Sequence, residues 1–239
     1  MWQATVYTLF PDMFPGPLGK SIAGKALKQG KWHLKTVNIR DYATDKHKTV
    51  DDTSYGGGTG MVMRPDVVDA ALSANILPGT KLIYTSPKGR PLTQDMLRSW
   101  LAKYPSGISI LCGRYEGIDQ RVLDSWQESH GMEDISIGDY VLSGGELPAM
   151  VMLDACVRLL PGVLEKLDAT TIESFELDLL EYPQYTKPQN WNNKVVPDVL
   201  LSGDHKNIAA WRKTEAESIT KSRRPDLWQR FQAKKSDGK

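Results

Sequence analysis

Cysteine is almost missing from this chain: Cys112 and Cys156 are the two in 239 residues. They lie far apart inside apolar runs, which excludes a disulfide framework and does not give the paired spacing of a structural zinc site. Both read as reduced core thiols, the usual fate of a free cysteine. Long apolar runs are missing too, since no stretch reaches the roughly 18 uncharged apolar residues that a membrane span needs. Met1 to Pro11 show no basic segment leading into an apolar one, so a soluble, cytoplasmic protein is expected. Net charge is nearly absent as well. Thirty Lys and Arg stand against 29 Asp and Glu, and that sum alone speaks against a nucleic-acid partner.

The familiar nucleotide and metal signatures are also lacking. There is no G-x-x-x-x-G-K-[ST], and no G-x-G-x-x-G opens a helix after a strand. His33, His47, His130 and His205 stand alone, with no H-E-x-x-H and no ligand pair at i, i+4, so no metal site is expected. The cluster Gly56-Gly57-Gly58-Thr59-Gly60 has no following Lys-Ser/Thr and reads as a mobile loop outside any strand-to-helix turn.

What is present is an alternation. At about 150 residues per domain the length suits one to two domains. Apolar runs that read as strands cover Ala4 to Leu9, His33 to Ile39, Lys81 to Thr85, Ile108 to Cys112 and Ile135 to Ile137. Helical periods fall between them at Lys20 to Gln29, Pro65 to Asn75, Thr93 to Lys103, Asp119 to Trp126 and Pro148 to Leu160. Strands separated by helices of about ten residues predict an α/β fold with a mostly parallel sheet covered on both faces. The last helix is the best marked. Pro148 suits a first helical position, Pro161-Gly162 supplies a stop, and Ala149, Met152, Leu153, Cys156, Val157 and Leu160 recur at helical spacing.

Beyond Gly162 the periodicity dissolves until about Asp204, then returns from His205, with Pro225 placed to open a final helix. The expected organisation is therefore an α/β domain over 1–161, a flexible interdomain linker over 162–204, and a small helical domain over 205–239.

Counting charge by segment changes the meaning of the small sum. Residues 20–48 carry eight basic and two acidic side chains, residues 205–239 carry ten and four, and residues 116–181 carry three and fifteen. The molecule is polarised. Basic ends with Trp211, Trp228 and Arg223-Arg224 offer phosphate contact and stacking, and the acidic block offers either solubility or a place for a cation.

Three strands end in turns rich in glycine or proline, at Thr85-Ser86-Pro87, at Gly113 to Gly117 and at Gly138 to Gly145. In open parallel sheets ligands bind beyond the carboxyl ends of the strands, so these turns should gather around one pocket. The runs Cys112-Gly113-Arg114-Tyr115-Glu116-Gly117-Ile118-Asp119 and Ser136-Ile137-Gly138-Asp139-Tyr140-Val141-Leu142-Ser143-Gly144-Gly145-Glu146-Leu147-Pro148 resemble the two hallmark motifs of the bacterial tRNA (guanine-N1)-methyltransferase family of the SPOUT superfamily. Tyr55-Gly56-Gly57-Gly58, Leu159-Leu160-Pro161-Gly162, Tyr185-Thr186-Lys187-Pro188 and Leu200-Leu201-Ser202-Gly203-Asp204-His205 extend the likeness along the chain.

That resemblance implies a C-terminal trefoil knot in the α/β domain, an exception to the rule that chains avoid knots. It also implies S-adenosyl-L-methionine as methyl donor, tRNA bearing guanosine immediately 3′ of the anticodon as substrate, and a homodimer with a shared active site. Whether a divalent ion assists is left open. Carried over by position, the cofactor residues are Tyr84, Thr85, Ser86, Pro87, Gly113, Tyr115, Glu116, Ile137, Gly138, Asp139, Tyr140, Val141, Leu142, Gly144, Gly145 and Pro148. The catalytic pair maps to Arg158 and Glu173. The family's usual acid is aspartate, so Glu173 departs by one methylene, and Asp168 and Asp178 are alternative acids nearby. That substitution keeps a second reading open, a catalytically silent RNA-binding module. A third is a SPOUT methyltransferase acting on another RNA.

Overall fold

The computed structural model describes residues 1–164 and 173–237. The chain divides into two compact units, Met1–Glu165 and Lys166–Lys239.

The first unit is built on a five-stranded sheet of β1 (Trp2–Thr8), β2 (Trp32–Asn38), β5 (Lys81–Pro91), β6 (Gly107–Cys112) and β7 (Glu133–Ser136). Their order is β2-β1-β6-β5-β7, and every pairing within this sheet is parallel. Parallel strands need crossovers, and the helices α1 (Ser21–Lys28), α2 (Pro65–Asn75), α3 (Gln94–Lys103), α4 (Gln120–His130) and α5 (Glu146–Val157) lie along those connections and beyond β7.

Alternation along the strands sorts these helices into two layers. Ala4, Val6, Ile83, Ile110 and Cys112 share one core with Ala23 of α1, Trp100 of α3 and the buried face of α5. The intervening residues Tyr7, Leu82, Tyr84 and Leu111 share the other with Val68 and Leu72 of α2 and Leu123 and Trp126 of α4. A period of two in the strands is thus converted into a helix-sheet-helix sandwich. Both cysteines are buried in the first of these cores, as reduced thiols.

The structure corrects several boundaries. The α5 helix begins at Glu146, so Pro148 is its third residue rather than its first, and it ends at Val157 rather than Leu160. Proline is tolerated there because the first-turn N-H groups have no intrahelical acceptor. Strand β5 runs on past Thr85 to Pro91 after a register shift against β7. The glycine cluster is the tip of an antiparallel hairpin, β3 (Asp51–Thr53) with β4 (Met61–Met63).

In the second unit, Asn192 and Asn193 both adopt positive φ, at 50° and 60°, and close a hairpin of β8 (Asn190–Trp191) and β9 (Lys194–Val195). Asparagine tolerates that backbone, which two-residue hairpin turns require. Helix α6 (His205–Arg223) is capped by Asp204, which accepts from the Lys206 and Asn207 N-H groups at 3.0 and 3.1 Å. Helix α7 (Pro225–Asp237) follows, opening at Pro225.

Candidate active site

The carboxyl ends of β5, β6 and β7 converge on a cavity of about 240 Å³. That is somewhat below the usual range for small-molecule sites, roughly 300–1,000 Å³. Its walls are the turn after Tyr84, the loop from Gly113 to Ile118, and the loop from Gly138 to Gly145. Of the sixteen residues named as cofactor contacts from the sequence, all except Asp139 line this one cavity. Asp139 is exposed and lies outside the lining.

The second and third of these walls are braced by hydrogen bonds. The Gly145 N-H donates to the Gly113 carbonyl at 2.9 Å, joining the second and third loops. Within the third loop, Ser136 Oγ donates to the Gly138 carbonyl at 3.0 Å and Tyr140 O-H donates to that of Ile137 at 3.2 Å. The second loop is held by the hairpin: the Glu116 N-H donates to Met61 O at 2.9 Å, and the Met63 N-H donates to Gly117 O at 2.9 Å. Little in the sequence signalled this hairpin, since Asp51-Asp52-Thr53 is rich in a residue that strands disfavour and the connection is long.

The structure adds lining residues that sequence reasoning missed, among them Arg114, Asp134 and Ser143. Tyr84 and Asp134 are register partners across β5 and β7. Burial, with the Asp134 charge adding to it, pushes the Tyr84 hydroxyl up to about 12. Burial also raises the Asp134 carboxyl above its ordinary value, against the opposing charge of Lys88. Two carboxylates, Glu116 and Asp134, line the cavity together with two basic residues, Lys88 and Arg114, among hydroxyls, main chain and apolar side chains. Such a lining, with charges of both signs around glycine main chain and apolar groups, suits a small ligand that has a flat apolar part and charged groups.

The proposed catalytic pair is divided between the units. Arg158 is the half-buried residue that caps α5 just after Val157 in the first, and Glu173 is half-buried at the start of the described part of the second. Of the alternative acids, Asp168 lies outside the described residues. Asp178 is engaged, with Lys234 Nζ 2.6 Å and Arg230 Nε 3.7 Å away. The two tryptophans singled out for stacking are half-buried and contact Tyr185 and Phe231, with ring centroids 6.3 and 5.5 Å apart.

The chain is an α/β protein with a glycine-floored crevice beyond the carboxyl ends of its parallel strands, the place where such sheets hold small ligands. A family model described as tRNA (Guanine-1)-methyltransferase TrmD matches residues 2–230. A tRNA (guanine-N(1)-)-methyltransferase of Rhodospirillum rubrum is 58% identical over 231 residues, covering 97% of this chain and 94% of the relative. One from Rhodopseudomonas palustris strain TIE-1 is 59% identical over 228 residues, 95% of this chain and 90% of its own length. One from Ruegeria pomeroyi is 51% identical over 241 residues, covering 99% and 96%. The chain belongs to the tRNA (guanine-N1)-methyltransferase family.

Proposed function

We propose that this chain methylates N1 of the guanosine immediately 3′ of the tRNA anticodon, with S-adenosyl-L-methionine as donor. Family membership makes it a tRNA (guanine-N1)-methyltransferase, an enzyme of tRNA modification. The observation that carries the cofactor assignment is the convergence of fifteen of the sixteen named residues on one cavity. The fit is chemical as well: open main chain and apolar groups suit an adenosine, and a lining that holds Glu116 and Asp134 beside Lys88 and Arg114 suits a cofactor with charges of both signs. When bound, the cofactor supplies an electrophilic methyl group.

The chain's own residues then have two tasks. Guanine N1 carries a proton that must leave as the new N-C bond forms, and we assign its removal to the Glu173 carboxylate. A positioned base of this kind contributes ~10²- to 10⁴-fold. Negative charge moves onto O6 as the proton departs, and the Arg158 guanidinium is the group assigned to stabilise it.

A trefoil knot in the first unit is part of this proposal. It is supported by the way the segment after β7 is pressed against the ends of β5 and β6 at Gly145 before α5 returns across the sheet. A homodimer with a shared active site is supported by α5, which buries one face yet leaves Leu147 and Val151, one turn apart, half exposed. The helices of residues 205–237, with their excess of basic side chains, are assigned to the anticodon stem and loop. The target base would be turned out of its stack to reach the methyl group. No described helix is long and apolar enough to cross a membrane, and we assign the protein to the cytoplasm.

The test is nucleoside mass spectrometry on paired tRNA transcripts incubated with the protein and S-adenosyl-L-methionine. The guanosine transcript should yield 1-methylguanosine and the transcript with adenosine at the target position should yield none. An unmodified guanosine transcript refutes the reading, and product elsewhere in the RNA redirects it.

A further inference from the structure

Arg114 and Glu146 form an ion pair beside the cavity wall, with Arg114 Nη2 2.9 Å from Glu146 Oε2. Glu146 is only 1% exposed although it stands in the first turn of α5. Its other oxygen accepts from Thr8 Oγ1 at 2.7 Å, at the carboxyl end of β1. Arg114 in turn donates from Nη1 to the Ser143 carbonyl at 3.1 Å, and its guanidinium lies 4.3 Å from the centre of the Phe10 ring. Its stem crosses Gly144 so closely that a Cβ there would lie 2.4 Å from Nε. One guanidinium therefore ties the end of β1, the first turn of α5 and the loop from Gly138 to Gly145.

Stability is a poor explanation for this pair. Removing two charges from water is expensive, and apolar side chains of the same volume often do as well or better. Here the cost is not fully recovered, because Arg114 Nε is buried with no acceptor among the described residues. What the pair does achieve is geometric. Ser143 and Gly144 both line the cavity, and both are held by Arg114.

We propose that Arg114 and Glu146 are positioning residues that hold the loop from Gly138 to Gly145 in the shape that receives the cofactor before it arrives. A loop ordered in advance does not have to be ordered at the expense of binding. The inference rests on the cofactor reading given above.

The decisive variant is Arg114→Met combined with Glu146→Met, which removes both charges and keeps much of the volume. Three quantities are compared with wild type: the thermal midpoint, amide exchange in the free protein at Gly145, whose N-H is bonded to the Gly113 carbonyl, and S-adenosylhomocysteine affinity by calorimetry. The expected result is a folded protein whose loop exchanges at least about tenfold faster and whose Kd and cofactor KM rise about tenfold or more, with kcat at saturating cofactor changed much less. A folded double variant with wild-type exchange and wild-type Kd overturns the proposal. Should that variant fail to fold, Arg114→Lys gives the same readouts. It keeps the charge but lacks the planar fork that reaches Glu146 and Ser143 together, so loop exchange must again accelerate. Exchange is measured without ligand, so it separates the two ideas: wild-type protein that binds no S-adenosylhomocysteine refutes the cofactor reading, and unchanged exchange refutes the positioning role.

Discussion

Gly145 lies so close to Thr85 that a Cβ on it would stand 2.0 Å from Thr85 Oγ1, with Cys112 Cα at 2.8 Å and the Gly113 nitrogen at 2.9 Å. The third cavity loop is pressed here between the ends of two strands, and two of the three obstacles are backbone. Gly145→Ala should therefore destabilise the first unit by about 1–3 kcal/mol, the usual cost of overpacking, and weaken S-adenosylhomocysteine binding. Urea denaturation and calorimetry check both effects, and an unshifted midpoint would contradict the packing argument.

Two acids near the start of the second unit should respond differently. Glu173→Gln is expected to keep cofactor affinity while turnover falls ~10²- to 10⁴-fold, the contribution of a positioned base. Asp178→Asn removes the pairing of a buried carboxylate with Lys234 and Arg230, so the effect should fall on the second unit's stability and not on turnover. Single-turnover kinetics alongside hydrogen exchange of α6 and α7 separates the two. A large turnover loss confined to Asp178→Asn would move the base to that residue.

Asp134 carries a pH prediction. Its carboxyl is raised in the folded protein, chiefly by burial, so the native state holds the proton more tightly than the unfolded chain does. Ionising it then costs stability, a cost absent below the ordinary carboxylate value of 3.8 and complete above the raised one. Asp134→Asn should consequently stabilise the ligand-free protein at neutral pH relative to wild type, and the difference should shrink as the pH falls through that window. Denaturation curves at several pH values test the sign. The same variant should bind the cationic cofactor more weakly.

Both thiols should be silent. Burial pushes Cys156 up to about 12 and Cys112 well above its usual value, and neither reaches solvent. Since the thiolate is the reactive form, an aromatic disulfide reagent at about pH 8 should label neither in the native protein and both after denaturation. Fast labelling of the native state would show that the cavity region opens.

Salt should expose the basic surface. Lys206 and Lys213 are exposed on α6. If they meet phosphates, Lys206→Ala and Lys213→Ala should each weaken tRNA binding at every sequence alike and reduce the log-log salt slope by about one. Filter binding across a salt series measures this, and an unchanged slope would place the tRNA on another face.

Much of the fold was legible in local pattern. The period-two alternation in Leu82-Ile83-Tyr84 and Ile110-Leu111-Cys112 assigns each residue to one of two cores, and the structure places them so. Helix α2 runs over Pro65–Asn75, as its apolar spacing and opening proline require. The glycine-bearing strand ends marked a pocket because strand order and ligand position are linked in parallel sheets. Local signals fail where a partner is distant. Pro148 looks like a helix start, yet α5 begins two residues earlier, where Glu146 meets Thr8, 138 residues away in sequence, and Arg114. Likewise nothing near Arg114 in sequence announces that it holds Ser143, or near Asp134 that it faces the same cavity. By itself the sequence determined the layers, the polarity of the surface and the residue types around the cavity, since these follow from spacing and composition. The buried ion pair, the close approach of Gly145 to Thr85 and the raised carboxyl of Asp134 were decided by tertiary structure alone, because each depends on how far water is excluded where separate segments meet.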